Sequence, residues 1–418
     1  MNNRLIIFLL IILSESLLLT FLRGKAGVYI SPIVFFIVSV STALFPLVFH
    51  KKNNTNWLNL KSNKLIVFGL NTSLWLWCTY LLIKIILKNP VDPALSDIIP
   101  TVDILSNRLI SGEYPYKLIT EYGYHISPTY LPLQWLPFVI SALFEFDHRI
   151  IPFALFVLAV LLIQKKLVGK NRVFSETIFS TLLPPVLILL FLLKFPAMFA
   201  TTIELLPASW YILFCLLLLT GNSFLQATGI ILPLLSRYSL VLWLPLLVLF
   251  FLKKYSLKHN LKVFIFSILL IALIYVIPFV IPNPESVVEG FKYYSESALG
   301  EWQLKDFQQS GDKPVHLFRG IGFASFYYDF YPGNIEQKLH ACKTHHLWLS
   351  ALCCLILIII WIKKKHWQSN YLFLFASLKI YLVFFYSFIQ VPYIYLQLVP
   401  ISISVILFYL WQNKPLKT

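Results

Sequence analysis

The stretch from Asp92 to Pro137 reads DPALSDIIPTVDILSNRLISGEYPYKLITEYGYHISPTYLPLQWLP. It gathers carboxylates, tyrosines and prolines directly after an apolar segment ends. A carboxylate just outside a membrane span can take the proton of an attacking hydroxyl, a role that contributes roughly 10²–10⁴-fold in rate. The stretch holds five carboxylates, Asp92, Asp97, Asp103, Glu113 and Glu121, and a six-residue offset places Asp97 and Asp103 on different faces of a short helix. Asp92 lies between prolines and reads as turn chemistry. Tyr114, Tyr116, Tyr122 and Tyr124 have two readings, stacking on a sugar ring or lying in the interfacial aromatic belt. His125 reads as an exposed loop histidine.

Ionisable groups inside apolar runs carry more information, because lipid tolerates them only where they face protein or water. Arg237, followed by Tyr238, interrupts LLSRYSLVLWLPLL between two short segments. A cation at such a junction is placed to hold a lipid phosphate, or to snorkel to headgroups. Lys194 in FLLKFPAM offers a phosphate contact or a snorkelling helix end. Glu204 in FATTIELLPASW has the chemistry to bind a divalent cation or a sugar, or to favour a helix N-terminus. His316 and Arg319 are candidates for further phosphate contacts. Glu15, far from the rest, reads as a polar contact between helices.

The elements that must position these residues follow from composition. With 58% hydrophobic and 12% charged residues and a mean hydropathy of +0.77, no water-soluble fold could cover its surface. The expected fold is an all-α polytopic membrane protein forming one domain. It has about 12–13 transmembrane or re-entrant helices, each crossing needing roughly 20 apolar residues. Two hydrophilic loops, 88–127 and 282–344, hold thirteen of the eighteen acidic residues. The net charge of +16 sits elsewhere, in clusters at 51–64, 164–172, 253–258 and 363–366. Short basic loops between apolar runs obey the positive-inside rule, which argues against nucleic acid and puts both long loops outside the cytoplasm. Parity leaves two routes. Either the proline-broken segment 130–146 is re-entrant, which the charges favour, or 222–252 is a single crossing interrupted at Arg237-Tyr238. Five cysteines without CxxC spacing read as packing residues. No P-loop, HExxH or GxSxG motif supports ATP-driven transport, zinc proteolysis or serine hydrolysis.

The run SDIIPTVDILSNRLISGEYPY followed by SPTYLPLQWLPF resembles the first outer loop of GT-C superfamily membrane glycosyltransferases. It is most similar to the polyprenol-phosphate-mannose-dependent mannosyltransferase-like group. Asp97, Gly112, Pro115, Tyr116, Tyr130 and Pro132 match that pattern. Pro100-Thr101 and Tyr130-Leu131-Pro132 depart from it, and two spans precede the usual first one. The resemblance implies Asp97 as general base and Asp103 as its runner-up. It also implies a polyprenyl-phosphate sugar donor and a glycan or glycolipid acceptor. The expected function is transfer of a hexose, mannose being the group's sugar, with inversion at the outer face of the cell membrane. A transporter or flippase of lipid-linked glycans is the alternative. Such proteins place repeats and charged pathways near the bilayer midplane.

Overall fold

Apolar runs separated by polar interruptions leave the backbone one way to satisfy its own amides in lipid, which is helix. A computed structural model describes residues 3–49, 64–168, 174–305 and 310–412. Of these, 79% are helical and none forms a strand, so the protein is an all-α polytopic membrane protein. Among the described residues nine helices are long and apolar enough to cross a bilayer. They are Arg4–Phe21, Ala26–Val48, Leu65–Lys88, Ile150–Leu167, Glu176–Lys194, Leu257–Val280, Ile335–Lys363, Tyr371–Phe388 and Ile394–Gln412. The basic cluster 51–64, much of 164–172 and the C-terminal tail lie largely outside the described residues.

Burial grades these helices from centre to rim. Ile394–Gln412 is 94% buried and Tyr371–Phe388 is 72% buried, whereas Leu257–Val280 is only 11% buried. Lipid tails are as apolar as leucine, so helices in a bilayer associate through close packing and polar contacts. The central polar contact is Glu15 with Lys379, both 0% exposed. Ser39 donates to Glu15 Oε1, Ser404 Oγ donates to Oε2 at 2.8 Å, and Lys379 Nζ also donates to Pro400 O at 3.0 Å. Glu15 thus joins four helices, as a polar interhelical residue should.

The short apolar helices are the informative departures. Pro132–Leu143 is broken into helix, 3-10 turn and helix. At about 1.5 Å per residue its length is roughly 18 Å, short of a hydrocarbon core about 30 Å thick. The 222–252 region is not one interrupted crossing but a hairpin. Its first arm, Ser223–Leu234, rises to Arg237, whose backbone is extended. The chain then turns back through the 3-10 segment Tyr238–Trp243 and the helix Leu244–Lys254. Gln226 at the base of the first arm meets Tyr255 just past the second, Nε2 to OH at 2.9 Å. His259 Nε2 stands 2.8 Å from Gln226 Oε1. Arg237 sits at the hairpin's tip.

Two ends of the bundle therefore differ. Lys254 Nζ donates to Ser369 O at 3.1 Å, which joins the 253–258 and 363–366 clusters at the hairpin's base. The acidic loops 88–127 and 282–344 gather at the opposite end, around the hairpin tip.

Candidate functional site

Asp97 is positioned by the turn that precedes it. Arg149 Nη1 donates to Asn89 O at 2.6 Å and to Ala200 O at 3.2 Å, tying the end of Leu65–Lys88 to the approach to Glu204. Ser96 Oγ donates to Thr201 O at 2.9 Å. These bonds hold the Asp97 turn against the segment that carries Glu204. Asp97 is the N-cap of the helix Ile98–Ile110, but its side chain makes no capping bond. A helix N-terminus stabilises a carboxylate by typically 0.3–1 kcal/mol. Burial outweighs that here and raises the Asp97 carboxyl above its ordinary range, and the nearby Glu301 charge adds to the rise. Among the described residues no cation pairs with it.

Farther along, Arg108 fixes the rest of the loop by donating to Pro115 O, Lys117 O and Leu118 O at 3.3, 2.6 and 3.1 Å. Gly112 and Gly123, at φ 74° and 77°, make left-handed turns on either side of this clamp.

Asp97 opens onto a cavity of about 630 Å³ that is also lined by Glu204, Arg237, Tyr238 and Glu301. Arg237 Nη2 pairs with Glu204 Oε1. Four buried polar atoms on lining residues have no hydrogen-bond partner: Arg237 Nη1, Glu204 Oε2, Ser236 Oγ and His346 Nε2. Buried polar groups are mostly satisfied within a folded chain; eleven further unpartnered atoms lie elsewhere among the described residues, and these four share one cavity. Glu301 comes from the amphipathic helix Glu285–Gln303. It accepts from Tyr393 OH at 2.9 Å and pairs with His316 Nδ1. Tyr386 OH donates to Ser239 Oγ at 3.0 Å, and Tyr211 OH lies 2.9 Å from the same oxygen, bracing the hairpin tip against the central helices.

Six of the sequence candidates, Asp97, Tyr114, Tyr116, Glu204, Arg237 and Tyr238, line this cavity together. Tyr116 owes its place to packing. Its hydroxyl donates to Tyr130 O at 2.8 Å and accepts from Trp135 Nε1 at 2.9 Å, so it braces the wall. Four candidates are not brought to the lining. Asp103 turns to the other face of its helix, where it meets His148 Nε2 and Asn107 Nδ2, each at 2.9 Å. Lys194 is exposed at its helix end and lies 5.1 Å over the Phe21 ring, a snorkelling geometry. Arg319 is exposed at the end of Val315–Arg319. His316 reaches the cavity only through Glu301. Asp103, Lys194, Arg319 and His316 are thus removed from direct contact with anything bound there.

Sequence reading missed Glu301, Ser236 and His346, and the turn 389–396 that brings in Gln390, Tyr393 and Tyr395. His346 carried a usable signal, an imidazole inside an apolar helix. Glu301 carried none beyond being one acid among eight in its loop.

Comparison with protein-family models, curated proteins and solved structures finds no match for the chain.

Proposed function

We propose that the protein is an inverting glycosyltransferase that moves a hexose from a polyprenyl-phosphate donor to a hydroxyl of a glycan or glycolipid acceptor. The observation that carries this reading is one cavity holding an unpaired, half-buried carboxylate and a guanidinium with a free buried nitrogen. Asp97 takes the acceptor hydroxyl proton as that oxygen bonds to the anomeric carbon. The anomeric carbon–oxygen bond to phosphate breaks, and Arg237 Nη1 stabilises the charge left on the phosphate, with Ser236 beside it. Donors fixed where charge develops act most strongly in a site shielded from water. Tyrosine faces supply the sugar-contacting surface. The basic clusters at the far end of the bundle support an orientation with the cavity on the non-cytoplasmic side, where a lipid-phosphate donor is the available sugar source. Mannose is the hexose that the resemblance of the 97–132 stretch favours.

The test is transfer of labelled sugar from polyprenyl-phosphate hexoses by the purified chain to a panel of glycan acceptors. Wild-type transfer that survives Asp97→Asn overturns the base. Protein-dependent movement of a lipid-linked glycan across vesicles, with no transfer, replaces this reading with a flippase.

A further inference from the structure

The cavity's charge balance is the least explained feature of the site. Among the described residues three carboxylates line it, those of Asp97, Glu204 and Glu301, against the single guanidinium of Arg237 and no lysine. Arg237 pairs with Glu204, so the guanidinium is committed to one acid and Asp97 and Glu301 are left on the wall it does not serve. His316 stands at Glu301 from outside the lining. Glu204, 3% exposed, still has Oε2 unpartnered. Buried anions are paired, coordinate metal or neutralise. Among the described residues no three histidine, cysteine or acidic side chains gather closely enough to hold a metal ion. What does gather is aromatic surface. Ten tyrosines line the cavity, and Tyr122, Tyr124, Tyr130, Tyr293 and Tyr393 lie within electrostatic reach of Asp97. Carboxylates among aromatic faces suit an organic ammonium, which gains from ring quadrupoles as well as from the charges.

We propose that the Asp97–Glu301 wall binds an ammonium group, so that one of the two substrates is an amino sugar. This rests on the transferase reading for the word substrate, but the site itself does not depend on it. Glu301 supplies the paired charge, held in place by Tyr393 and His316. The ammonium beside Asp97 offsets its burial and keeps it ionised for proton abstraction from a neighbouring hydroxyl. The phosphate contacts at Arg237 and Ser236 are left free for the other partner.

The experiment is calorimetric titration of the full chain in nanodiscs with octyl glucosaminide, octyl N-acetylglucosaminide and octyl glucoside, at a pH below the amine's pKa. The amine form should bind about tenfold more tightly than either neutral form, the equivalent of one modest ionic contact. Glu301→Gln should lose most of that preference, and a wild-type thermal midpoint in the same nanodiscs would show that the variant is folded. Glu301→Asp should recover part of it. Equal binding of all three glycosides overturns the proposal. So does a gain in glucoside affinity with magnesium or manganese and no amine preference, which would make the wall a metal site. Transfer of a neutral hexose without amine preference sinks this inference and keeps the transferase. Amine preference without transfer does the reverse.

Discussion

Asp97 is a carboxylate whose burial and acidic neighbour both oppose its ionisation. As the proposed base it must be deprotonated, so the acid limb of kcat/KM should lie above the ordinary aspartate value of about 3.9, and activity should rise with pH through the raised pKa. The stability sign is opposite. A carboxyl raised on folding contributes fully below its unfolded pKa, and that contribution is lost as pH rises through the folded value. Asp97→Asn should therefore lower transfer by about 10²–10⁴-fold while leaving the thermal midpoint at neutral pH unchanged or higher. A variant that lost both together would be a folding defect. Arg237 behaves differently. Arg237→Ala leaves the Glu204 charge buried and unpaired, which costs about 3–5 kcal/mol, whereas Arg237→Gln with Glu204→Gln should recover much of that stability but not activity. Arg237 could be picked from sequence because a cation within an apolar run is chemically conspicuous, and Asp97 because the resemblance of its stretch implies it and its place after a span agrees. Glu301 could not, since nothing local separates it from its seven acidic loop neighbours.

At the scale of elements, the site depends on turns that meet only in three dimensions. Gly320 and Gly322 lie against the turn 387–392. A Cβ on Gly320 would stand 2.3 Å from Pro392 O, and one on Gly322 would stand 2.8 Å from Ser387 O. Backbone bonds run along the same seam, Ile321 N to Pro392 O at 3.0 Å and Phe323 N to Ser387 O at 2.7 Å. Gly320→Ala and Gly322→Ala should displace the turn that presents Gln390 and Tyr393, lowering activity at least tenfold with the protein still inserted in membrane and folded. Unchanged kcat/KM in both variants would show that this turn does not set the site. The hairpin tip teaches a related lesson. Hydropathy finds two apolar stretches around Arg237, but only the Gln226–Tyr255 contact reveals that the second returns to the start of the first.

For the whole molecule, Glu15 and Lys379 lie in the bundle core, away from the cavity's lining. Glu15→Gln alone should destabilise by about 3–5 kcal/mol, because it strands a buried ammonium, and Glu15→Gln with Lys379→Met should restore most of the loss. Thermal unfolding in a fixed detergent reads both, and an equal loss in single and double variants would contradict the pairing. The orientation is checked by labelling. A membrane-impermeant maleimide added to intact cells should modify Glu289→Cys and spare Lys258→Cys, with little background because all five native cysteines are buried. The reverse pattern would put the cavity on the cytoplasmic side and remove the lipid-phosphate argument.

By itself the sequence determined the class of fold, the long spans, the separation of acidic loops from basic clusters, and the candidacy of two charged residues that line the cavity, Asp97 and Arg237. Those features are local, since span length and charge placement are read one segment at a time. The tertiary structure alone decided that Asp97, Arg237 and Glu301 share one cavity, that Asp103 and Lys194 stay out of it, and that the Tyr116 hydroxyl braces its wall. Shared lining of one cavity across 140 or 204 residues of chain, from Asp97 to Arg237 or to Glu301, is fixed by helix packing and turn contacts. No stretch of sequence read alone contains it.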